Sequence, residues 1–306
     1  MLWAIVKAVS LTYLLGGLGL SLVSLAWYVL RRRLAPAQRA GAGFAAAVLT
    51  CAAGLGFGTA IAAGVINHSI RMTTPYFMGL MAGHGALAIT LAGCVVLLLS
   101  LALFFRSLRH ARLPSQRGEV LRAGGIKLRT SDSVQTASLV GAIRPELWVN
   151  PAYWSALSDA ERQLVLFHES QHLGRRDNLR KLVLYYIAGL YYALPWIRTW
   201  PEQYELDSEL AVDDICRSRV PESSYRALVG RAVEHAVFGR PAAVQSMLSH
   251  ADLGERMAVL LKPRRRGNPA VMLAACVGMI ATGSAPAVLL LLSPLSRCFL
   301  ACYLGY

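Results

Sequence analysis

The sequence predicts an α-helical integral membrane protein with an α+β domain inserted between the third and the last transmembrane helix. Hydrophobic residues make up 55% of the 306 residues and charged residues only 16%, and the mean hydropathy is +0.45. Such a composition is typical of membrane proteins. Acidic residues occur only between Glu119 and Glu255, and apolar runs long enough to span a bilayer lie on both sides of that region. The acidic middle is therefore the predicted water-exposed domain.

The first third of the chain, residues 1–105, predicts three transmembrane helices at about 8–30, 40–66 and 76–105. Basic clusters follow the first and third runs. They are Arg31, Arg32, Arg33 and Arg39, and then Arg106, Arg109, Arg112, Arg117 and Arg122. The positive-inside rule places both clusters in the cytoplasm and the N-terminus outside. Because the basic cluster follows the first run, we expect a retained anchor and not a cleaved signal.

The stretch from Leu164 to Asp177, LVLFHESQHLGRRD, carries the chemistry. His168 and His172 are four residues apart, so on a helix both imidazoles lie on one face, about one turn apart, as two ligands of one Zn²⁺ require. Glu169 follows the first histidine, where a carboxylate can act as general base on the attacking water while zinc polarises a carbonyl. The pattern predicts peptide hydrolysis.

The surrounding sequence predicts that this stretch is helical. Ser158 and Glu161 form a capping box, in which the serine hydroxyl accepts from the Glu161 amide and the Glu161 carboxylate reaches back. No proline or glycine intervenes before Gly174. The helix is therefore expected to begin next to Ser158 and to include both histidines.

A catalytic zinc needs a third protein ligand. The downstream run 204–214 contains Glu209 and Asp213, which share a helix face. Glu209 is the predicted ligand, and Asp213 is predicted to accept the free N–H of a ligating histidine. Glu205 lies one turn before Glu209 and is the competing ligand, with a solvated helix carboxylate as its alternative interpretation.

Three stretches resemble the BlaR/MecR group of bacterial membrane metallopeptidases: HESQHLGRRD, VGAIRPELWVNP at 140–151, and SELAVDD at 208–214. The resemblance implies His168, His172 and Glu209 as zinc ligands and Glu169 as base. Val212 stands where the group often has cysteine. A penicillin-binding sensor domain follows the last membrane helix in the best-known members. None is recognised here, so we do not expect β-lactam sensing by that route.

Arg176, Asp177 and His235 each have two possible interpretations. Arg176 and Asp177 resemble the R-R-D of the group, but contact with lipid headgroups and a charge at the helix end are the physical alternative. His235 is a candidate for oxyanion stabilisation, with a plain position on the helix surface as the alternative.

Residues 106–265 are the predicted cytoplasmic, membrane-apposed, gluzincin-like zinc peptidase domain. Short β-like patterns occur at 126–128, 138–140 and 147–149. The strand at 137–143 is either an edge strand that pairs with substrate or an ordinary core strand. Two amphipathic helices, at about 223–237 and 241–261, are expected to close the domain.

The apolar segment 182–197, LVLYYIAGLYYALPWI, decides the topology. If it crossed the membrane, Glu209 would lie on the opposite side from His168 and His172. The segment is short for a span, contains Gly189 and Pro195, and has basic residues on both sides. It is therefore predicted as a re-entrant hairpin or an interfacial helix. The last transmembrane helix and a short outer tail then occupy 266–306, which places the C-terminus outside.

The sequence thus predicts a zinc metalloendopeptidase of the bacterial cytoplasmic membrane. Its expected partners are a protein or peptide substrate, membrane lipid and a second copy of the chain. The resemblance implies that the substrate is a cytosolic regulatory protein such as a DNA-binding repressor. The alternatives are an HtpX-type quality-control or CAAX-processing peptidase and a non-catalytic signalling scaffold. Although the net charge is +14, most basic residues follow spans, so no direct nucleic-acid binding is expected.

Overall fold

A computed structural model describes residues 2–66, 86–110, 120–123, 126–132, 134–238, 250–261 and 267–292. Within them the helices before the sheet are α1 (Leu2–Leu30), α2 (Pro36–Ile66) and α3 (Ala86–His110), with a 3₁₀ turn at Arg31–Arg33. The strands are β1 (Val120–Ala123), β2 (Ile126–Thr130), β3 (Ala137–Val140) and β4 (Glu146–Val149). The later helices are α4 (Pro151–Ala156), α5 (Asp159–Arg175), α6 (Asp177–Leu190), α7 (Pro195–Arg198), α8 (Trp200–Arg219), α9 (Glu222–Phe238), α10 (His250–Leu260) and α11 (Pro269–Leu292).

The apolar helices pack around α1, which contacts α2, α3 and α11. The crossing of α1 and α11 is close, because a Cβ atom added at Gly19 would lie 2.3 Å from the carbonyl oxygen of Gly283. Small residues at helix crossings are typical of packing inside membranes, where they let two backbones approach each other. The first and last apolar helices are therefore neighbours although they lie at opposite ends of the chain.

Among the described residues, two helices contain stretches long and apolar enough to cross a membrane, at 12–33 and 269–286. A shorter apolar stretch lies at 90–103 in α3. Helix α1 already starts at Leu2, six residues before the first predicted span, whereas the apolar stretch within it starts at residue 12. The start of the third predicted span falls at 76–85, outside the described residues. The arrangement of four crossings stays a prediction.

A four-stranded sheet with the order β1-β2-β4-β3 lies beside α5. The β2–β4 pair is parallel and the two outer pairs are antiparallel. Leu128, Leu147 and Val149 are almost completely buried and pack against Leu166 of α5. Strand β3 is an edge strand, which agrees with the first of the two sequence-based alternatives. It also contacts α5.

Helix α5 begins as its capping box predicts. The Ser158 hydroxyl accepts from the Glu161 amide, and the Glu161 carboxylate accepts from the Ser158 amide at 2.9 Å. The prediction of the capping box is confirmed. The helix ends at Arg175. The next residue, Arg176, has a φ of 55°, the only positive value among the described non-glycine residues, and α6 starts at Asp177.

Segment 182–197 is not one continuous element. Helix α6 ends at Leu190, residues 191–194 turn, and the short helix α7 leads into α8. The Tyr13 hydroxyl of α1 donates to the carbonyl oxygen of Leu190 at 2.8 Å, and the Tyr13 and Tyr191 rings stack with centroids 4.7 Å apart. This turn packs against the apolar helices and returns the chain towards α5.

One apolar core contains residues of the apolar helices α1, α2 and α11 and of the domain that precedes α11 in the chain. It contains Leu20, Val23 and Met279 from α1 and α11 together with Ile197 of α7 and Trp200 at the start of α8. Helix α8 also makes extensive contact with α2. Because α8 is anchored at this end, the position of its later residues is tied to the apolar helices.

Helices α9 and α10 correspond to the two predicted amphipathic helices. The described part of α10 starts at His250, and residues 239–249 of the second predicted helix lie outside the description. Tyr225 and Val229 of α9 and Leu260 of α10 pack with Val212 and Cys216 of α8. These contacts bring α10 onto the same side of α8 as α5.

Candidate metal centre

Two turns of α5 and one residue of α8 form a compact group of three ligand side chains: His168, His172 and Glu209. The Nε2 atoms of the two histidines are 3.2 Å apart. The Glu209 oxygens lie 3.3 Å from His172 Nε2 and 3.5 Å from His168 Nε2. The three therefore converge on one point although α8 starts 28 residues after His172.

These separations fit a metal ion. Ligands bound tetrahedrally at about 2.0–2.1 Å stand about 3.3 Å from each other, which is close to the three distances found here. Two imidazoles and one carboxylate are also the donor set of many catalytic metal sites, in which the remaining position is open to water or substrate. The group could therefore hold a metal ion without rearrangement of the helices.

His172 is oriented by Asp177. The Asp177 Oδ2 atom lies 2.9 Å from His172 Nδ1, and Asp177 Oδ1 accepts from the Tyr204 hydroxyl at 2.7 Å. Arg175 donates to the same carboxylate at 3.0 Å. Burial raises the pKa of Asp177, but the His172 hydrogen bond and the Arg175 charge outweigh it and leave that pKa below its ordinary value. Asp177 is 4% exposed, so its alternative interpretation as a lipid-headgroup contact was wrong.

His168 is oriented by a tyrosine and not directly by a carboxylate. Its Nδ1 atom lies 2.9 Å from the Tyr225 hydroxyl, which donates to Asp213 Oδ1 at 2.6 Å. Asp213 itself is 3.9 Å from His168 Nδ1. The prediction that Asp213 accepts the histidine N–H is therefore corrected: the hydroxyl group stands between the two, because α9 inserts Tyr225 from the side.

An arginine on α10, whose side chain is 12% exposed, completes the group. Arg256 Nη1 lies 2.9 Å from Glu209 Oε2, and the same guanidinium donates to both oxygens of Asp213 at 2.8 and 3.0 Å. Burial lowers the pKa of Arg256, but the charges of Asp213 and Glu209 raise that pKa by more than burial lowers it, so the residue stays cationic. Neither Arg256 nor Tyr225 could be predicted from sequence, since neither belongs to a motif.

The charges of this group have consequences for proton binding. Burial raises the pKa of Glu209, but Arg256 and His172 lower it well below its ordinary value. Burial lowers the pKa of His172, but Glu209 and Asp177 raise it to about 9. Because an imidazole must lose a proton before it coordinates a metal, metal binding at this site is coupled to proton release.

Glu169 lies beside the ligands on α5 and is 8% exposed. Burial raises its pKa, although His168 and His172 act in the opposite direction. A carboxylate with a raised pKa next to a metal-binding group is suited to accept and return a proton. The geometry therefore brings the predicted base to the same place as the predicted ligands.

The remaining sequence candidates lie elsewhere. Lys181 Nζ binds the Glu205 carboxylate at 2.6 Å, so Glu205 is occupied by an ion pair outside the three-residue group. Arg176 is exposed and forms the left-handed joint between α5 and α6. The side chain of His235 lies outside the described residues.

Residues 58–260 match the family described as BlaR1 peptidase M56. The match spans roughly two thirds of the chain and includes α5, α8 and all the residues of the group described above. The chain belongs to the BlaR1 peptidase M56 family. The resemblance inferred from the three sequence stretches is thereby confirmed. No curated protein matches the chain at a significant level.

Membership of the M56 family indicates a membrane-associated metallopeptidase. The apolar helices and the His168, His172 and Glu209 group agree with that description. In this M56 chain the group is carried by two helices, α5 and α8, and its outer contacts come from α6, α9 and α10.

Proposed function

We propose that this M56 chain is an integral membrane zinc-dependent endopeptidase. The observation that carries the proposal is the convergence of His168, His172 and Glu209 with separations of 3.2–3.5 Å beside the buried Glu169. Two imidazoles and one carboxylate suit zinc, which favours four ligands with one position open for catalysis. Bound there, zinc would polarise the carbonyl of the scissile bond and make the attacking water more acidic.

The protein side chains have distinct tasks in this reaction. Glu169 accepts the proton of the attacking water and passes it to the leaving amine. Asp177 and the Tyr225–Asp213 pair hold the two imidazoles through their Nδ1 atoms, so that both Nε2 atoms point to the metal position. Arg256 holds the Glu209 carboxylate from behind.

The outer edge of β3 is the proposed binding site of the substrate backbone. In the register of the β3–β4 pair, Ser138 and Val140 face β4, so the backbone groups of Leu139 point outwards. The Leu139 carbonyl oxygen accepts from Asn178 Nδ2, and its N–H is the group proposed to pair with substrate. An extended peptide can add to such an edge as a further strand. The neighbouring helix α5 then presents the metal group and Glu169 to that peptide.

The proposed substrate is a cytosolic regulatory protein, such as a transcriptional repressor, cleaved on a signal. This rests on the family resemblance and on the proposed topology, in which four spans leave the peptidase domain in the cytoplasm and both termini outside. The return of the chain after α6 supports the topology, because Glu209 and the two histidines lie on one side. An adjacent gene for a small helix-turn-helix repressor would favour this substrate over quality-control or CAAX-processing substrates.

The experiment is a cleavage assay with the detergent-purified protein on an unstructured polypeptide, with metal content measured on the same samples. We expect cleavage by the wild type, none by Glu169→Gln, and about one zinc per chain in both. Wild-type protein that holds zinc but does not cleave any of a broad peptide library, under conditions where it remains folded, would favour the non-catalytic scaffold.

A further inference from the structure

A cleft of about 350 Å³ opens between the end of α1 and the junction of α7 with α8, away from the metal group. Its aromatic walls are Trp27, Tyr28, Trp196 and Trp200, and Arg31 lies at one end. Three of the six tryptophans of the chain thus line one cleft. Such a concentration of indole rings beside an arginine indicates a site for a ligand with an apolar and an anionic part.

The walls of this cleft are held by specific hydrogen bonds. Trp196 Nε1 donates to Ser21 Oγ and Trp200 Nε1 donates to Ser24 Oγ, both at 2.9 Å. These bonds tie α7 and α8 to α1 on either side of the opening. Trp200 is buried, whereas Trp196 is 48% exposed. The cleft therefore has a fixed floor and an accessible rim.

The residues that line the cleft carry one formal positive charge. Arg31 is the only lining residue that carries a formal charge, and Arg32 and Arg33 follow it directly. The nearest acidic partners of Arg31 are Asp207 at 3.6 Å and Glu255 at 3.8 Å. Neither of them lines the cleft, so an anion inside it would meet Arg31 without facing a carboxylate in the wall.

The position of the cleft matches a membrane surface. It lies at the end of the apolar stretch 12–33 of α1, where basic residues begin. Tryptophan and tyrosine favour the level of the lipid headgroups, and arginine clusters favour the anionic face of a membrane. Leu25 and Tyr28, each 66% exposed, continue from the cleft along the outer face of α1.

We propose that this cleft binds one anionic phospholipid, with its phosphate at Arg31 and an acyl chain along Leu25 and Tyr28. The proposal rests on the membrane association of the family and does not depend on peptide hydrolysis. It also places the lipid next to the peptidase domain, because Arg31 pairs with Asp207, which precedes Glu209 by two residues on α8.

The test uses the full chain reconstituted into phosphatidylcholine bilayers that contain a small fraction of brominated lipid, which quenches tryptophan on contact. Brominated phosphatidylglycerol is compared with brominated phosphatidylcholine at equal mole fraction. We expect at least twofold stronger quenching by the anionic lipid. The preference should disappear in Arg31→Gln and persist in Arg33→Gln, a matched control that removes one charge from the same cluster but does not line the cleft.

Equal quenching by the two lipids in the wild type would overturn the proposal. An equal loss of preference in Arg31→Gln and Arg33→Gln would also overturn it, because that result indicates diffuse surface attraction. Inorganic phosphate is added in a separate arm, and relief of quenching would assign the cleft to a free anion instead of a lipid.

A second variant keeps the proposal testable if Arg31→Gln fails to fold. Trp196→Leu removes a half-exposed rim residue, and we expect it to reduce quenching by the anionic lipid while the protein remains folded. Unaltered anionic quenching in this variant would contradict the proposed position of the lipid. Metal content is recorded throughout. A chain that shows lipid preference but no metal would overturn only the proposed peptidase function.

Discussion

His172 Nδ1 lies 2.9 Å from Asp177 Oδ2, across the break between α5 and α6. The break occurs at Arg176, whose left-handed backbone turns the chain so that Asp177 points back at the preceding helix. A continuous helix would place position 177 on another face from position 172. The short distance between the ligand and its carboxylate partner therefore depends on a backbone feature, and this local joint orients the metal group.

The first prediction concerns this carboxylate. Asp177→Asn removes the charge that fixes His172, and we expect metal affinity to fall about 10–100-fold, as is usual for such outer partners. Metal affinity is measured by competition with a chromogenic chelator. The control is Asp159→Asn on the same helix, whose side chain is 96% exposed. An affinity loss of equal size in the control would refute a specific role of Asp177.

The third ligand can be distinguished from its neighbour one turn away. We expect Glu209→Gln to lose most of the bound metal, because its carboxylate is one of the three converging groups. Glu205→Gln should retain it, since that carboxylate is paired with Lys181. Metal content of the purified proteins is the measurement. Retention in the Glu209 variant together with loss in the Glu205 variant would move the ligand by one turn.

Removal of Arg256 should destabilise the chain most strongly in the presence of a chelator. Arg256→Gln leaves the carboxylates of Glu209 and Asp213 buried without their cation, and breaking such a pair costs about 3–5 kcal/mol. Zinc should restore part of that stability because it neutralises Glu209. The unfolding midpoint is compared with and without zinc. Arg226→Gln, in a half-exposed ion pair with Glu222, should cost less than about 1 kcal/mol. An Arg256 variant insensitive to zinc would argue against shared neutralisation.

Asn178 should affect substrate use more than stability. Its Nδ2 atom donates to the carbonyl oxygens of Leu139 and Gly141, both at 2.9 Å, and so ties the outer edge of β3 to the helix of Asp177. We expect Asn178→Ala to raise KM for peptides at least several-fold with metal content unchanged. The control is Asn150→Ala, which removes a similar bond to Val134 but should chiefly lower the unfolding midpoint. Equal KM values in both variants would refute a positioning role of Asn178.

The buried carboxylate of Asp207 should make stability depend on pH. Burial raises the pKa of Asp207 to about 6 although Arg31 and Arg39 act against it, whereas the unfolded value is about 3.9. Because the folded pKa is the higher one, this stabilising contribution is complete below about pH 4 and is lost as the pH rises through 6. Its size is at most about 3 kcal/mol.

The variant Asp207→Asn stays neutral and should not show this loss. The measurement is the unfolding midpoint of both proteins at pH 4.5 and pH 7.5, and the wild type should fall relative to the variant at the higher pH. A difference between the two proteins that is the same at both pH values would contradict the raised pKa.

Several features could be predicted from sequence because they depend on residues close together in the chain. The spacing of His168 and His172 places them on one helix face, and the capping box at Ser158 sets the start of that helix. Apolar runs of sufficient length likewise indicate helices at the two ends of the chain. Glu209 was predicted as the third ligand, although helix spacing alone also allowed Glu205 one turn earlier.

The partners of the ligands could not be predicted in this way. Tyr225 lies 57 residues from His168 and Arg256 lies 43 residues from Asp213, and no local pattern connects such positions. Helix spacing alone predicted that Asp213 accepts the N–H of a ligating histidine. In the structure the Tyr225 hydroxyl lies between His168 and Asp213. Likewise, the buried Asp177 carboxylate accepts hydrogen bonds from Tyr204 and Arg175, and these contacts form only in the folded chain.

The type of site follows from the sequence alone, because the identity of the donor atoms and their helical spacing specify a metal-binding pair next to a carboxylate. The partners and charges that surround this pair depend on tertiary packing. The physical reason is that α8 is positioned by packing against the apolar helices at Trp200, while α9 and α10 bring Tyr225 and Arg256 from other parts of the chain. Hydrogen bonds and burial then set the charge of every group, and both exist only after these helices have packed together.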